Sequence, residues 1–217
     1  PSLLLLLLLG APRGCAEGVA AALLGLVNPG EEVVVLEPYY DSYSACVAMA
    51  GGVRRTVQLR FPDLALYVDA LRAAVTPRTR VLMLNTPHNP TGAVLRREVL
   101  EEIAEVVVKH DLIVLSDEIY DRLTYEGRHT CLGALPGARE RTVVLGGFSK
   151  AQAMTGWRVG WICAPEAIAQ LCVRVHQYTM LCAPHVSQLA AVEALEHIER
   201  PLLLLVEVDD DAVTLLD

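Results

Sequence analysis

No G-x-G-x-x-G turn and no Walker-type phosphate loop occur in this sequence. Their absence argues against a nicotinamide enzyme or a P-loop nucleotidase. The six histidines show no H-E-x-x-H or comparable ligand spacing, so nothing points to a metal enzyme. None of the six cysteines forms a C-x-x-C pair, and most sit inside apolar runs. They read as small buried hydrophobes in a reducing, cytoplasmic setting rather than as a disulfide framework. Basic residues are scattered, apart from short pairs such as Arg54-Arg55 and Arg96-Arg97, and the formal net charge is −8. Nucleic acid is therefore excluded as a partner, because phosphate contacts need clustered Lys and Arg. The run Leu3 to Leu9 is far shorter than the ~20 apolar residues that span a bilayer, so no membrane role is expected. A buried strand is the preferred reading of that run, with the remainder of a signal peptide as the alternative. The chain opens on Pro1 rather than Met, which suggests a start inside a longer protein.

What is present is a substantial core. Apolar residues make up 53% of 217, enough for one large domain or a domain plus part of a second. Short β-branched runs alternate with longer helical patterns, without internal repeats or a low-complexity linker. Helices are expected over residues 17–26, 44–50, 66–74, 97–109, 167–175 and 187–197. Strands are expected over 33–36, 53–59, 81–84, 112–115, 143–145 and 159–163. Strands that are apolar on both faces and separated by helices imply an α/β fold, a mostly parallel sheet sandwiched by helices. Ligands in such folds sit beyond the carboxyl ends of the strands.

Polar clusters follow the strands at those ends. Asn85 to Gly92 (N-T-P-H-N-P-T-G) follows one, Ser116 to Tyr120 (S-D-E-I-Y) the next, and Gly146 to Lys150 (G-G-F-S-K) a third. Arg13 to Glu17 follows the leucine run. Singly each has an ordinary explanation: a turn, a helix cap, a solvated lysine, a helix start. His88 reads as part of its loop. Their joint order is the informative feature.

Those clusters, with Thr155 to Trp161 (T-G-W-R-V-G-W), resemble the class I/II aminotransferases of pyridoxal-phosphate (PLP) fold type I. The nearest resemblance is to the kynurenine, methionine and glutamine aminotransferase group and to N-succinyldiaminopimelate aminotransferases. It runs from about Gly14 to about Leu195. It implies pyridoxal 5'-phosphate as cofactor, a homodimer, and transfer of an amino group between an L-amino acid and a 2-oxo acid. A C–S β-lyase on the same scaffold, or an incomplete fragment that at most binds PLP, are the alternatives. The expected organisation is a partial PLP-binding large domain over 1–195 and a truncated or atypical tail over 196–217.

The resemblance assigns roles residue by residue, and the chemistry agrees. Lys150 is the amine that holds the cofactor as a Schiff base and then shuttles a proton. Asp117 is the carboxylate that keeps the pyridine nitrogen protonated. Tyr120 and Asn89 donate to the ring's phenolate oxygen, and Asn85 lies near them. Tyr40 stacks on the ring, with Tyr39 as the fallback. The segment Gly14, Cys15, Ala16 opens a helix whose N–H groups receive the phosphate, and Arg158 supplies the cation. Metal: none.

Three departures from the family pattern stand out. Gly147 replaces a Ser or Thr that bonds the phosphate, and Ala16 replaces a frequent hydroxyl. Each lost bond to a charged group is worth ~1.5–3 kcal/mol, so weakened PLP binding is expected. No position after Leu195 matches the arginine that grips the substrate's α-carboxylate, and Arg200 lies too early.

Overall fold

The computed structural model describes residues 12–62 and 64–197. Helix α1 (Cys15–Leu26) leads to strand β1 (Glu32–Glu37), helix α2 (Ser42–Met49) and strand β2 (Val53–Gln58). Helix α3 (Val68–Ala74), strand β3 (Thr79–Asn85), helix α4 (Arg97–Lys109) and strand β4 (Ile113–Asp117) follow. Strands β5 (Thr142–Gly147) and β6 (Gly160–Cys163) and helices α5 (Glu166–Thr179) and α6 (His185–Glu196) complete the described chain. The expected buried strand at Leu3 to Leu9, and almost all of the 196–217 tail, lie outside the described residues.

The strands form one sheet in the order β2-β1-β3-β4-β5-β6. All neighbours pair in parallel except β5 with β6, which run antiparallel. Alternating side chains divide between two apolar layers, as the two-residue strand period requires. Val33, Val35, Val81, Met83, Leu115 and Leu145 face α1, α2 and α5. Val34, Leu36, Leu82, Leu84 and Val114 face α3 and α4. Helix α4 shows why the sequence folds this way. Its buried residues Leu100, Ile103, Ala104 and Val107 recur every three or four positions, giving one apolar stripe. Helix α1 is apolar almost all round and is correspondingly packed between the sheet and α5. A Cβ on Gly25 would lie 3.1 Å from the Leu171 carbonyl, so glycine sets that close approach. No helix among the described residues is long and apolar enough to cross a membrane.

Candidate active site

Because β1, β3, β4 and β5 are parallel, their carboxyl ends share one rim. The strand order reverses between β1 and β3, the kind of switch point at which open α/β sheets bind ligands. A cavity of about 210 Å3 opens there. Cys15 and Ala16 reach it from the start of α1, and Tyr40 and Tyr43 from the segment after β1. Asn85 and Asn89 enter from β3, and Asp117 and Tyr120 from β4. Ser149, Lys150, Thr155 and Arg158 complete the wall from the β5–β6 connection. Of the ten residues assigned to catalysis or cofactor binding from the sequence, all but Gly14 line it. Among the described residues, no cluster of His, Cys, Asp or Glu has the arrangement of a metal site.

Asp117 ends β4 and is 4% exposed. Its Oδ2 accepts a 2.7 Å bond from the Tyr43 hydroxyl. Its Oδ1 accepts from the Cys15 thiol at 3.3 Å and from the Ile119 amide at 3.1 Å. All three donors are neutral. Burial pushes the Asp117 carboxyl above the usual carboxylate range, and the three bonds offset this only in part. Burial first, and the Asp117 charge second, push the Tyr43 hydroxyl and the Cys15 thiol well up, so both keep their protons and donate.

Asn85 anchors the neighbouring loop. Its amide donates to the Asp117 carbonyl at 2.8 Å, and its Oδ1 accepts from the Asn89 N–H at 2.7 Å. This ties the end of β3 to the end of β4 and sets Asn89 at the cavity wall. His88 is buried in the same loop, with Nδ1 2.8 Å from the Thr91 hydroxyl, and stays out of the lining. The aromatic alternatives also separate. Tyr40 lines the cavity and meets Tyr43 edge-on at 5.6 Å. Tyr39 turns away, beneath the Arg54 guanidinium at 5.3 Å.

Lys150 sits on a tight turn. The Ala153 amide donates to the Lys150 carbonyl at 3.0 Å, and the Met154 amide to the Phe148 carbonyl at 3.1 Å. Phe148 and Met154 are buried with Val159, so the turn is pinned by apolar contact on both sides of the lysine. Lys150 Nζ stands 5.4 Å from the centre of the Tyr120 ring. Arg158 adopts left-handed backbone, φ 52° and ψ 57°, and turns its guanidinium toward the start of α1. It donates to the Arg13 carbonyl at 3.0 Å and the Thr155 carbonyl at 2.9 Å. A Cβ on Gly14 would lie 2.7 Å from Arg158 Nη2. Gly14, itself at φ 88°, therefore makes room for the guanidinium. A helix N-terminus beside a guanidinium is a site for an anion.

The residues of the site all lie within the segment that matches known proteins. The family model for aminotransferase class I and II aligns with residues 11–207. The chain belongs to this family. The solved N-succinyldiaminopimelate aminotransferase of Mycobacterium tuberculosis superposes on the aminotransferase chain with a TM-score of 0.85 and 44% identity. That match covers 87% of this chain and 50% of that one. An aromatic-amino-acid aminotransferase of Thermococcus litoralis is 42% identical over 184 residues, 84% of this chain and 47% of that protein. The kynurenine–oxoglutarate transaminase of Dictyostelium discoideum is 37% identical over 201 residues, 84% of this chain and 46% of that protein. The chain spans about half the length of the curated relatives it matches.

Three polar lining residues were given no role by the sequence reading: Tyr43, Ser149 and Thr155. Tyr43 is the second residue of α2 and looks there like any half-apolar helix residue. Ser149 and Thr155 flank the lysine turn, where the Thr155 hydroxyl donates to the Ser149 carbonyl at 2.7 Å. Gly147 also reads differently in three dimensions. It does not line the cavity, and a Cβ there would lie 3.1 Å from both the Gly160 Cα and the Val159 carbonyl oxygen of the β6 side. A hydroxyl-bearing residue at 147 would need β6 to give way, and Ser149 offers a hydroxyl at the cavity instead.

Proposed function

We propose that this chain is the PLP-binding large domain of an aminotransferase that moves an amino group between an L-amino acid and a 2-oxo acid. The observation that carries the proposal is the state of Asp117. A carboxylate almost fully buried, held by three neutral donors, has no cationic partner among the described residues. Burying a charge without a counter-charge costs several kcal/mol. A cofactor with a protonated ring nitrogen supplies that missing cation, so the residues present fit PLP.

The other groups fit the remaining parts of the same molecule. Arg158 and the amides at the start of α1 would hold the phosphate dianion, with the Ser149 and Thr155 hydroxyls beside them. Tyr40 would cover one ring face. Asn89 and Tyr120 would donate to the ring oxygen, and Asn85 keeps Asn89 in register. Lys150 would hold the cofactor covalently through Nζ. PLP, when bound, supplies an electron sink that makes the proton on a substrate's α-carbon removable. Once displaced by the substrate's amino group, Lys150 Nζ would be the base that takes that proton and the acid that returns it. Tyr120, next to Nζ, restricts where the amine can swing.

The named relatives are aminotransferases, which favours amino-group transfer over β-elimination at a C–S bond. We place the aminotransferase in a homodimer, as in its family, and in a reducing cytoplasm, which suits its six free thiols. The test is chemical trapping. The sequence has only two lysines, Lys109 and Lys150. Incubation with PLP, borohydride reduction and peptide mass mapping should place the pyridoxyl group on Lys150 alone. Lys150→Ala should abolish the adduct. A pyridoxyl group on Lys109, or none on either, would overturn the reading.

A further inference from the structure

Cys15 was expected to serve the cofactor through its backbone, at the start of α1. Its side chain is engaged elsewhere, on the acid. A carboxylate offers about four acceptor positions, two on each oxygen. On Asp117 Oδ1 both are taken, by the Cys15 thiol and the Ile119 amide. On Oδ2 one is taken, by Tyr43. Among the described residues, a single acceptor position therefore remains, on Oδ2, and Asp117 faces the cavity.

We infer that Cys15 is a positioning residue for Asp117: with the Ile119 amide it saturates Oδ1, so the second position on Oδ2 is left to receive the N–H of the cofactor's ring. The inference rests on the reading of Asp117 as partner of that nitrogen. The thiol fits the task because it is small, 9% exposed, and a weak donor. It fixes the carboxylate's rotation without neutralising its charge. A cation in the same place would remove the need for a protonated ring. Two other groups bear on the same acid: Tyr43 from α2 and Glu118 from the segment at the end of β4. Lys150 and Arg158 share the cavity.

The first arm of the test needs no cofactor. Removing a donor from a buried carboxylate lifts its proton affinity further, so the ionised form is destabilised more than the protonated one. Cys15→Ala should therefore lower the apo-protein Tm by more at about pH 8 than at about pH 5. Cys15→Ser, which keeps a donor, should remove most of that difference. An equal loss at both pH values would mean that Cys15 only fills space, and would overturn the inference. The second arm measures PLP binding. Cys15→Ala should raise the PLP Kd about 3- to 10-fold, the equivalent of one modest hydrogen bond, and Cys15→Ser should restore it. An unchanged Kd in Cys15→Ala would also overturn it.

A third arm keeps Cys15 intact, in case its variants fold poorly. In Asp117→Asn the anion that opposes thiol ionisation is gone, so iodoacetamide should label Cys15 faster than in the parent chain, with exposed Cys182 unchanged as the internal standard. An unchanged Cys15 rate would show that thiol and carboxylate are not coupled. Failure of the underlying reading looks different. Asp117→Asn would then bind PLP as tightly as the parent, while the first and third arms still showed a thiol–carboxylate pair.

Discussion

Two buried carboxylates stand at opposite rims of the same sheet, and they are treated in opposite ways. Glu32 opens β1 and its side chain is 0% exposed. It accepts from the Thr76 hydroxyl at 2.6 Å and from Arg78 at 2.9 Å, with Arg55 at 3.6 Å. The Thr76 bond, then the bonds and charges of Arg78 and Arg55, hold its carboxyl below the usual range. Asp117 closes β4, is equally hidden, and has neutral donors only. Its carboxyl is pushed up, burial being the largest cause. One rim spends its acid on joining β1 to the Thr76–Thr79 turn. The other holds its acid in place and leaves the counter-charge to a ligand. Burial alone does not separate a structural acid from a functional one; the charge of the partners does.

The largest expected effect bears on the functional rim. Asp117→Asn should raise the PLP Kd about 10- to 100-fold, the loss of one charge-assisted bond of ~1.5–3 kcal/mol, as read by absorbance titration. The apo-protein should nevertheless be as stable as the parent or more so at about pH 8, because an unpaired buried charge has been removed. Glu32→Gln should do the reverse. Denaturant unfolding should show a loss of about 2–3 kcal/mol, below the 3–5 of a fully buried pair because Arg55 and Arg78 are 40% and 72% exposed, with PLP affinity preserved. If both variants lost the same stability, the contrast between the rims would fail.

The pH dependences sharpen the contrast. Glu32 has a lowered folded-state pKa, so its stabilisation is complete above the unfolded value of ~4.3 and is lost as pH falls through the folded one. Asp117 has a raised folded-state pKa. The folded chain then holds a proton that the unfolded chain has released, and stability declines as pH rises from ~3.9 through the folded value. The smallest effect belongs to Tyr43→Phe, about 1–2 kcal/mol at a pH above the folded-state pKa of Asp117 and less at a pH below it, where Asp117 holds a proton instead. Equal losses at the two pH values would place the Tyr43 hydroxyl outside the energetics of the acid.

Much of this was legible in the sequence because each signal was local. The α4 stripe predicts residues 97–109, and the helix spans Arg97–Lys109. Asn85, Asp117 and Lys150 each follow an apolar strand, and parallel order brings them to one rim without further information. What was not legible depends on contacts distant in sequence. The Tyr43 bond to Asp117 joins positions 74 residues apart, and the Cys15 bond joins positions 102 apart. Nothing in the local pattern of α1 or α2 marks either side chain as a donor. The lack of room at Gly147 depends on β6 lying antiparallel beside β5, a direction that four strand residues do not encode. The Glu32 cluster likewise needs the β1–β3 pairing before Arg78 can be seen beside Glu32.

The most direct measurement is the protonation of the bound cofactor's ring, followed by nitrogen NMR of PLP labelled with 15N in the pyridine. Bound to the parent chain, the nitrogen should hold its proton to a higher pH than free PLP does, and Asp117→Asn should bring the titration back toward that of the free cofactor. Coincident titrations for free PLP, the parent and Asp117→Asn would contradict the claim that Asp117 is a buried anion completed by the cofactor's charge.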